Sequence, residues 1–399
     1  MPDEVGEAAP CAPAPKHDDV LGEAVPDELA ASIRTLCREL TSHTVAAARA
    51  AQQAVEGVDF PGSQPVSLSR ANAPLLCDPA LDYMVSWKAD GTRYLLLLLH
   101  GGAYLLDRAG RVRRVQMRFP TPDCEAGKPY RPLRAHDYTL LDGEMVVDAS
   151  GTAGLPPQRR FLAYDLCSMG LTGREGVRQL CDRPFRERYE LIERLVVAPK
   201  KAFEHAARGR YNAAAEPFHI RRKQFFEPAR AAWLLHEFMP TLTHPSDGLI
   251  FQPGREGYRG RTNEHLLKWK FPELNTVDFL VRPEEGGAPV LCVTGDGGRL
   301  KALAEVVLPP ELRDEEGGAS PLEAGLYLED AEEGEPGLEY GQVAECRWDG
   351  RRVAWSLLRV RRDKEHPNHE TVFLKVWQSI RDDMRAGDVL QVLAGTSGA

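Results

Sequence analysis

Eight cysteines are spread over the 399 residues, Cys11, Cys37, Cys77, Cys124, Cys167, Cys181, Cys292 and Cys346, and no two of them form a C-x-x-C pair. That pattern offers neither a zinc site nor a disulfide framework, and it points to a reducing compartment. No apolar run approaches the ~20 residues that cross a bilayer as a helix. The N-terminus is acidic and rich in Pro and Ala, so it lacks the basic start and apolar stretch of a signal peptide. An excess of positive charge is missing as well: 59 acidic against 50 basic residues leave a net charge of −9. Taken as a sum, that balance argues against a nucleic-acid partner.

The charge is unevenly distributed, and the distribution matters more than the sum. Residues 1–30 hold eight acids and one lysine, and residues 311–345 hold twelve acids and one arginine. What remains carries a net charge of +9. The body is basic and its appendages are acidic. An apolar share of 43% is ordinary for a chain that buries a core, and the length suits two domains and a tail.

Residues 1–57 read as an acidic Pro/Ala-rich tail, largely disordered, with a helix from Pro26 toward Val55 carried by Leu29, Ile33, Leu36 and Leu40. A strand at Tyr83–Trp87, an Asp90-Gly91 turn and a more buried strand at Tyr94–Leu99 follow. Further strands are expected at Ala103–Leu106, Thr139–Asp148, Arg160–Leu166, Leu249–Gln252 and His265–Phe271. Helices are expected over Pro184–Val197, capped by Asp182, and over Pro228–Phe238. This pattern predicts an α+β domain over residues 58–275 with antiparallel sheets. From Thr276 to residue 370, five short strands among Gly, Pro and acidic loops suit a small barrel of the oligonucleotide-binding (OB) type. The acidic stretch within it reads as a solvated insertion. A last helix over residues 371–390, with Val372, Val376 and Ile380 on one face, is expected to close on the first domain.

The stretch Val85-Ser86-Trp87-Lys88-Ala89-Asp90-Gly91-Thr92-Arg93 carries the strongest chemical signal. It sets Lys88 beside a tight turn and near Arg93. A lysine is nucleophilic only when deprotonated, which is rare at neutral pH for a free pKa of about 10.4. Neighbouring cations and desolvation both disfavour the ammonium form, so a lysine in a basic cleft can be activated toward phosphorus. In Leu266–Phe271, Lys268 and Lys270 share one strand face, and an anion between them would relieve their repulsion. Arg359 and Arg361 likewise share a face, with Lys364 just beyond, and guanidinium pairs suit polyphosphate oxygens. Asp142 and Glu144 share a face too, and either can accept from ribose hydroxyls or hold a divalent cation. Asp247 is a further hard-oxygen candidate.

Together these stretches match, in order, the motif set of covalent nucleotidyltransferases. The chain most closely resembles the guanylyltransferase part of metazoan-type mRNA capping enzymes. The match runs through FPGSQPVS (60–67), WKADGTR (87–93), Asp107-Arg108, TLLDGEMV (139–146), RFLAYD (160–165), DGLIFQP (247–253), LKWK (267–270) and RVRRDKEHPN (359–368). The resemblance implies a ligase-type (ATP-grasp-like) nucleotidyltransferase domain followed by the OB fold. It implies that Lys88 takes GMP from GTP and passes it to the 5′-diphosphate end of nascent RNA. Arg93 and Glu144 would contact the ribose, Arg108 the sugar and phosphate, Tyr164 the guanine face, and Lys223 the base edge. Lys268 and Lys270 would hold the α-phosphate, while Arg359, Arg361 and Lys364 reach the departing pyrophosphate. Asp247, and less directly Glu144, would serve a required Mg²⁺ or Mn²⁺.

The family also implies a nuclear address, the phosphorylated C-terminal repeats of RNA polymerase II as a partner, and a cap methyltransferase acting next. The triphosphatase signature His-Cys-x-x-Gly-x-x-Arg is absent from the sequence. The expectation is therefore either a fragment or a separate RNA triphosphatase. The rival readings are an ATP-dependent polynucleotide ligase, which shares the lysine chemistry, and a non-catalytic scaffold that binds polymerase tails.

Overall fold

The computed structural model describes residues 21–42, 60–122, 135–149, 156–170, 177–283, 289–312, 320–327, 338–362 and 364–395. The chain divides into two compact units, Met1–Val66 with Asp78–Lys268 and Ser67–Cys77 with Trp269–Ala399. The division falls a few residues before the expected boundary at residue 275, and it groups residues 67–77 with the second unit.

Twelve strands build the two sheets of the first unit, the last ending just beyond its boundary. They are β1 (Glu23–Ala24), β2 (Ser63–Ser67), β3 (Tyr83–Ala89), β4 (Thr92–Leu99), β5 (Gly102–Asp107), β6 (Val112–Val115), β7 (Asp137–Asp148), β8 (Gln158–Gly170), β9 (Val177–Gln179), β10 (His219–Arg222), β11 (Ser246–Pro253) and β12 (Arg261–Lys270). The large sheet runs β1-β6-β5-β4-β7-β8-β10 with β9 on β8, and the small one runs β2-β12-β11-β3. The unbroken apolar run of β4 is explained by its position, since it is buried on both faces. Leu96 and Leu98 pack with Leu141, Phe161 and Phe185 on one side, and Leu95 and Leu97 pack with Leu140, Ile33 and Cys37 on the other.

Two expectations change here. The large sheet is mixed rather than antiparallel, because β10 runs parallel to β8. The chain between them forms a helix over Phe185–Ile192 that continues through a π turn to Ala206, and a crossover of that length returns the chain in the same direction. The helix expected from Pro26 is present. The helix Asp27–Leu40 buries Ala30, Ile33, Cys37 and Leu40 against the large sheet, while residues 1–20 and 43–59 lie outside the described residues. The helix at residue 185 starts at Pro184 without a side-chain cap, so Asp182 does not cap it.

The second unit holds β13 (Thr276–Arg282), β14 (Val290–Thr294), β15 (Leu300–Ala302), β16 (Leu326–Tyr327), β17 (Val343–Asp349) and β18 (Ala354–Val360) in the order β15-β14-β13-β17-β18-β16. The five expected strands are present, β15 is a sixth, and β16 pairs with β18 in parallel. The core is aromatic: Phe279, Trp355, Phe373 and Trp377 are all buried. Phe373 and Trp377 come from the helix Glu370–Asp382. This helix therefore completes the second unit's own core, and the chain at its end meets residues expected in the first domain, with Arg70 Nε donating to Asp382 O and Trp269 Nε1 to Met384 O. Residues 313–319 and 328–337 of the acidic stretch, which hold eight of its twelve acids, lie outside the described residues.

One glycine sets the course of β7 beside the site. The β7–β8 register shifts between Asp142 and Gly143, and a Cβ on Gly143 would sit 2.3 Å from the buried Phe161 ring. That ring is wedged in the core and has no room to retreat. Gly143→Ala is therefore expected to cost ~1–3 kcal/mol in urea unfolding, the usual range for overpacking.

Candidate active site

A cavity in the first unit, about 140 Å³, is lined by residues of both its sheets, among them Lys88, Arg93, Arg108, Glu144, Tyr164 and Lys223. Lys88 reaches it from β3. Opposite, β11 bulges: Ser246 pairs with Ala89 and Gly248 with Lys88, leaving Asp247 as the extra residue. Such a bulge re-aims a side chain, and Gly248 takes the φ of +151° that it needs. The Asp247 carboxylate meets the Lys88 Nζ at 2.6 and 2.7 Å. The nucleophile candidate thus rests on a carboxylate. Asp247, expected as a hard-oxygen ligand, meets the lysine itself.

Beside this pair lies a fully buried anchor. Arg93 donates Nε and Nη2 to the two Asp142 oxygens at 2.9 and 2.6 Å, and Nη1 to the Ser63 carbonyl at 2.5 Å. Tyr164 and Tyr258 donate their hydroxyls to the same carboxylate at 2.9 and 2.7 Å. Burial works against the Arg93 charge, but Asp142 outweighs it and raises the guanidinium well above its ordinary value. The Tyr164 ring is held by this contact with Arg93 near its face, 5.9 Å from the centroid. A second bidentate pair, Arg188 with Asp165 at 2.7 and 2.9 Å, also borders the cavity.

Glu144 and Lys223 complete the charged wall. Burial pushes the Glu144 carboxyl up to about 7, against the pull of Arg93, Lys223, Arg108 and Lys88. Burial, aided by Lys88 and opposed by Glu144 and Asp247, pushes the Lys223 ammonium down to about 7. The Lys223 Nζ stands 5.3, 5.7 and 5.9 Å from the ring centroids of Trp87, Phe225 and Tyr164. Electron-rich faces of this kind accept a cation at modest cost.

The remaining predicted residues are dispersed. Lys268 follows Leu266, which lines the cavity, by two positions on β12, so alternation gives both the same face. Lys270, further along that strand, falls in the second unit. Arg359, Arg361 and Lys364 also belong there, held by local carboxylates. Arg359 Nε donates to Glu345 at 2.7 Å, Arg361 pairs with Asp278 at 3.3 Å, and Lys364 contacts the same aspartate.

Sequence reasoning weighed Asp142 as a ligand and missed its work as an anchor, and it missed Tyr258, Asp165 and Arg188 altogether. Only burial, which no local pattern reports, reveals them. Among the described residues, no three His, Cys, Asp or Glu side chains converge as a metal cage. Asp142→Ala would leave Arg93 as a buried charge without a counter-ion. The expected loss is ~3–5 kcal/mol in urea unfolding, with Asp142→Asn milder because it keeps an acceptor.

Comparison with known proteins bears on these same residues. The family model for the mRNA capping enzyme catalytic domain matches residues 15–272, and the model for the mRNA capping enzyme C-terminal domain matches residues 318–390. The mRNA-capping enzyme of Mus musculus is 31% identical over 334 residues, covering 82% of this chain and 48% of the relative. That of Danio rerio is 37% identical over 227 residues, covering 56% and 34%. The chain therefore spans about half or less of these relatives. It spans 84% of the mRNA-capping enzyme subunit alpha of Neurospora crassa, at 29% identity over 367 residues and 84% of this chain. A mycobacterial DNA ligase D complexed with ATP and MES superposes with a TM-score of 0.35 at 18% identity, over 77% of this chain and 95% of that one. Because the catalytic-domain model spans the strands that build the cavity and its companion covers much of the β-rich second unit, the chain belongs to the mRNA capping enzyme family.

Proposed function

We propose that this chain is a GTP:RNA guanylyltransferase that carries GMP on Lys88. The observation that carries the reading is the Lys88 amine, 2.6 Å from the Asp247 carboxylate, at the wall of a cavity bearing eight further charged groups and two tyrosine rings. In the first step Lys88 Nζ bonds to the α-phosphorus of GTP, the bond from that phosphorus to the bridging oxygen breaks, and pyrophosphate leaves. The amine must shed a proton to do so, and Asp247 is in hydrogen-bond contact to receive it. In the second step an oxygen of the RNA 5′-diphosphate takes the GMP, the P–N bond breaks, and the amine regains its proton.

The other side chains fall into roles that suit this chemistry. Arg93, fixed by Asp142, and Glu144 would meet the ribose, and Arg108 the phosphates. Tyr164 would stack on guanine, with Lys223 at its edge. Lys268 and Lys270 would hold the α-phosphate, and Arg359, Arg361 and Lys364 the pyrophosphate. Two carboxylates, Asp247 and Glu144, fit a Mg²⁺ or Mn²⁺ site, because such ions use one or two carboxylates and complete their shell with substrate phosphates. When bound, the ion would neutralise charge on the phosphates. Nascent RNA with a diphosphate end implies an RNA triphosphatase acting before and a cap methyltransferase acting after. The same reading implies nuclear work at the phosphorylated tail of RNA polymerase II.

Mass spectrometry after incubation with GTP and Mg²⁺ is expected to find one GMP on Lys88 and none in Lys88→Ala. Labelling by ATP but not by GTP would favour a ligase, and labelling by neither would favour a scaffold. A triphosphate adds negative charge beside Lys223 and Glu144, and both groups hold protons better next to an anion. GTP binding near pH 7 is therefore expected to take up protons, read by calorimetry in buffers of different ionisation enthalpy. Proton release would contradict the assignment of these two groups to the nucleotide pocket.

A further inference from the structure

Behind the nucleophile runs a chain of hydrogen bonds that the chemistry above does not use. Trp87, next to Lys88, is fully buried and donates its indole Nε1 to His244 Nε2 at 3.0 Å. His244 Nδ1 lies 2.8 Å from Asp148 Oδ1, which also accepts from Thr243 Oγ1 at 2.9 Å. Arg160 Nε stands 2.7 Å from the other Asp148 oxygen. The indole N–H can only donate, so His244 Nε2 must be the bare nitrogen and Nδ1 carries the proton toward Asp148. The tautomer is fixed by its neighbours. Burial tends to raise the Asp148 carboxyl, but the hydrogen bond from His244 and the Arg160 charge outweigh it and hold the group below its ordinary value.

This chain ties together three segments that each deliver a group to the cavity. Asp148 ends β7, the strand that carries Glu144. His244 lies three residues before Asp247, and its segment is fastened by Ala149 N to Thr243 O at 2.6 Å and Asp90 N to Pro245 O at 3.0 Å. Trp87 belongs to β3, and its ring also faces the Lys223 Nζ. Moving any member would shift Lys88, Asp247 or Lys223 relative to the others. A bidentate contact of 2.6–2.7 Å between Lys88 and Asp247 tolerates little such movement.

We propose that Asp148, His244 and Trp87 are positioning residues for the reaction at Lys88, acting through the Lys88–Asp247 contact and the Lys223 ammonium. The proposal rests on the guanylyltransferase reading. Its test is the single-turnover rate of lysyl-GMP formation at saturating GTP, measured beside the GTP dissociation constant in full-length protein. Trp87→Phe keeps an aromatic side chain, though a smaller one, and loses the donor, and it is expected to slow that rate tenfold or more while GTP binding stays within about threefold. His244→Gln offers one acceptor and one donor and is expected to recover most of the rate, whereas His244→Leu is not. The Trp87 indole proton, followed by NMR, should lie downfield in the native protein and in His244→Gln, and move upfield in His244→Leu. A Trp87→Phe variant that melts earlier yet reacts at the native rate would overturn the proposal, leaving a packing role alone. His244→Gln as slow as His244→Leu while folded and binding GTP would overturn it as well. If the native protein forms no GMP adduct at all, the guanylyltransferase reading itself fails, a result distinguishable from either of these. Should His244→Leu not fold, the comparison of Trp87→Phe with the native protein decides alone.

Discussion

Everything in the cavity is referred to one carboxylate. Asp142 is completely buried and accepts four hydrogen bonds, two from Arg93 and one each from Tyr164 and Tyr258. A carboxylate in that setting is tolerable only because a guanidinium meets it edge to edge and two hydroxyls occupy its remaining lone pairs. The same contacts fix the Tyr164 ring and bring β12's approach loop, through Tyr258, against β7. Tyr258 also accepts from the Ser63 amide at 3.0 Å, so β2 is drawn into the same arrangement. The energetic worth of such a buried network is smaller than its geometric effect: it leaves the polar wall with one arrangement.

Beside this wall sit two acid–base pairs. The Lys88 ammonium donates to both Asp247 oxygens. Glu144 and Lys223 are both driven toward neutrality by burial, one upward and one downward. Their displacement has a common cause, since an enclosed site disfavours the charged form of acid and base alike. Groups in that state respond to the arrival of an anion by changing their protonation rather than by moving.

Much of the architecture could be read in the chain. The apolar run Tyr94–Leu99, the Asp90-Gly91 turn and the spacing of Leu249–Gln252 and His265–Phe271 fall on observed strands, because hydrophobic periodicity and turn chemistry act locally. Lys88, Arg93, Arg108, Glu144, Tyr164 and Lys223 do line one cavity. What escaped the sequence depends on distant partners. The parallel pairing of β10, the embedding of the helix Asp27–Leu40 and the home of the helix Glu370–Asp382 are all decided by where an apolar face finds cover. The bulge that turns Asp247 toward Lys88 likewise has no signal beyond a Gly at position 248. Asp165 closes a quoted motif and Arg188 sits in a helix, but only the fold shows the two buried as a pair.

The cavity draws its wall from residues as far apart as Ser63 and Leu266, and its β10 side arrives only after a long crossover. Long-range pairings of this kind form late, because loop closure must be met before any contact rewards it. A growing polypeptide that has emerged as far as Lys88 and Arg93 still lacks Lys223, Asp247 and Tyr258. Lys88 therefore emerges before Asp247, the carboxylate it contacts, and a half-made chain on the ribosome lacks a closed cavity.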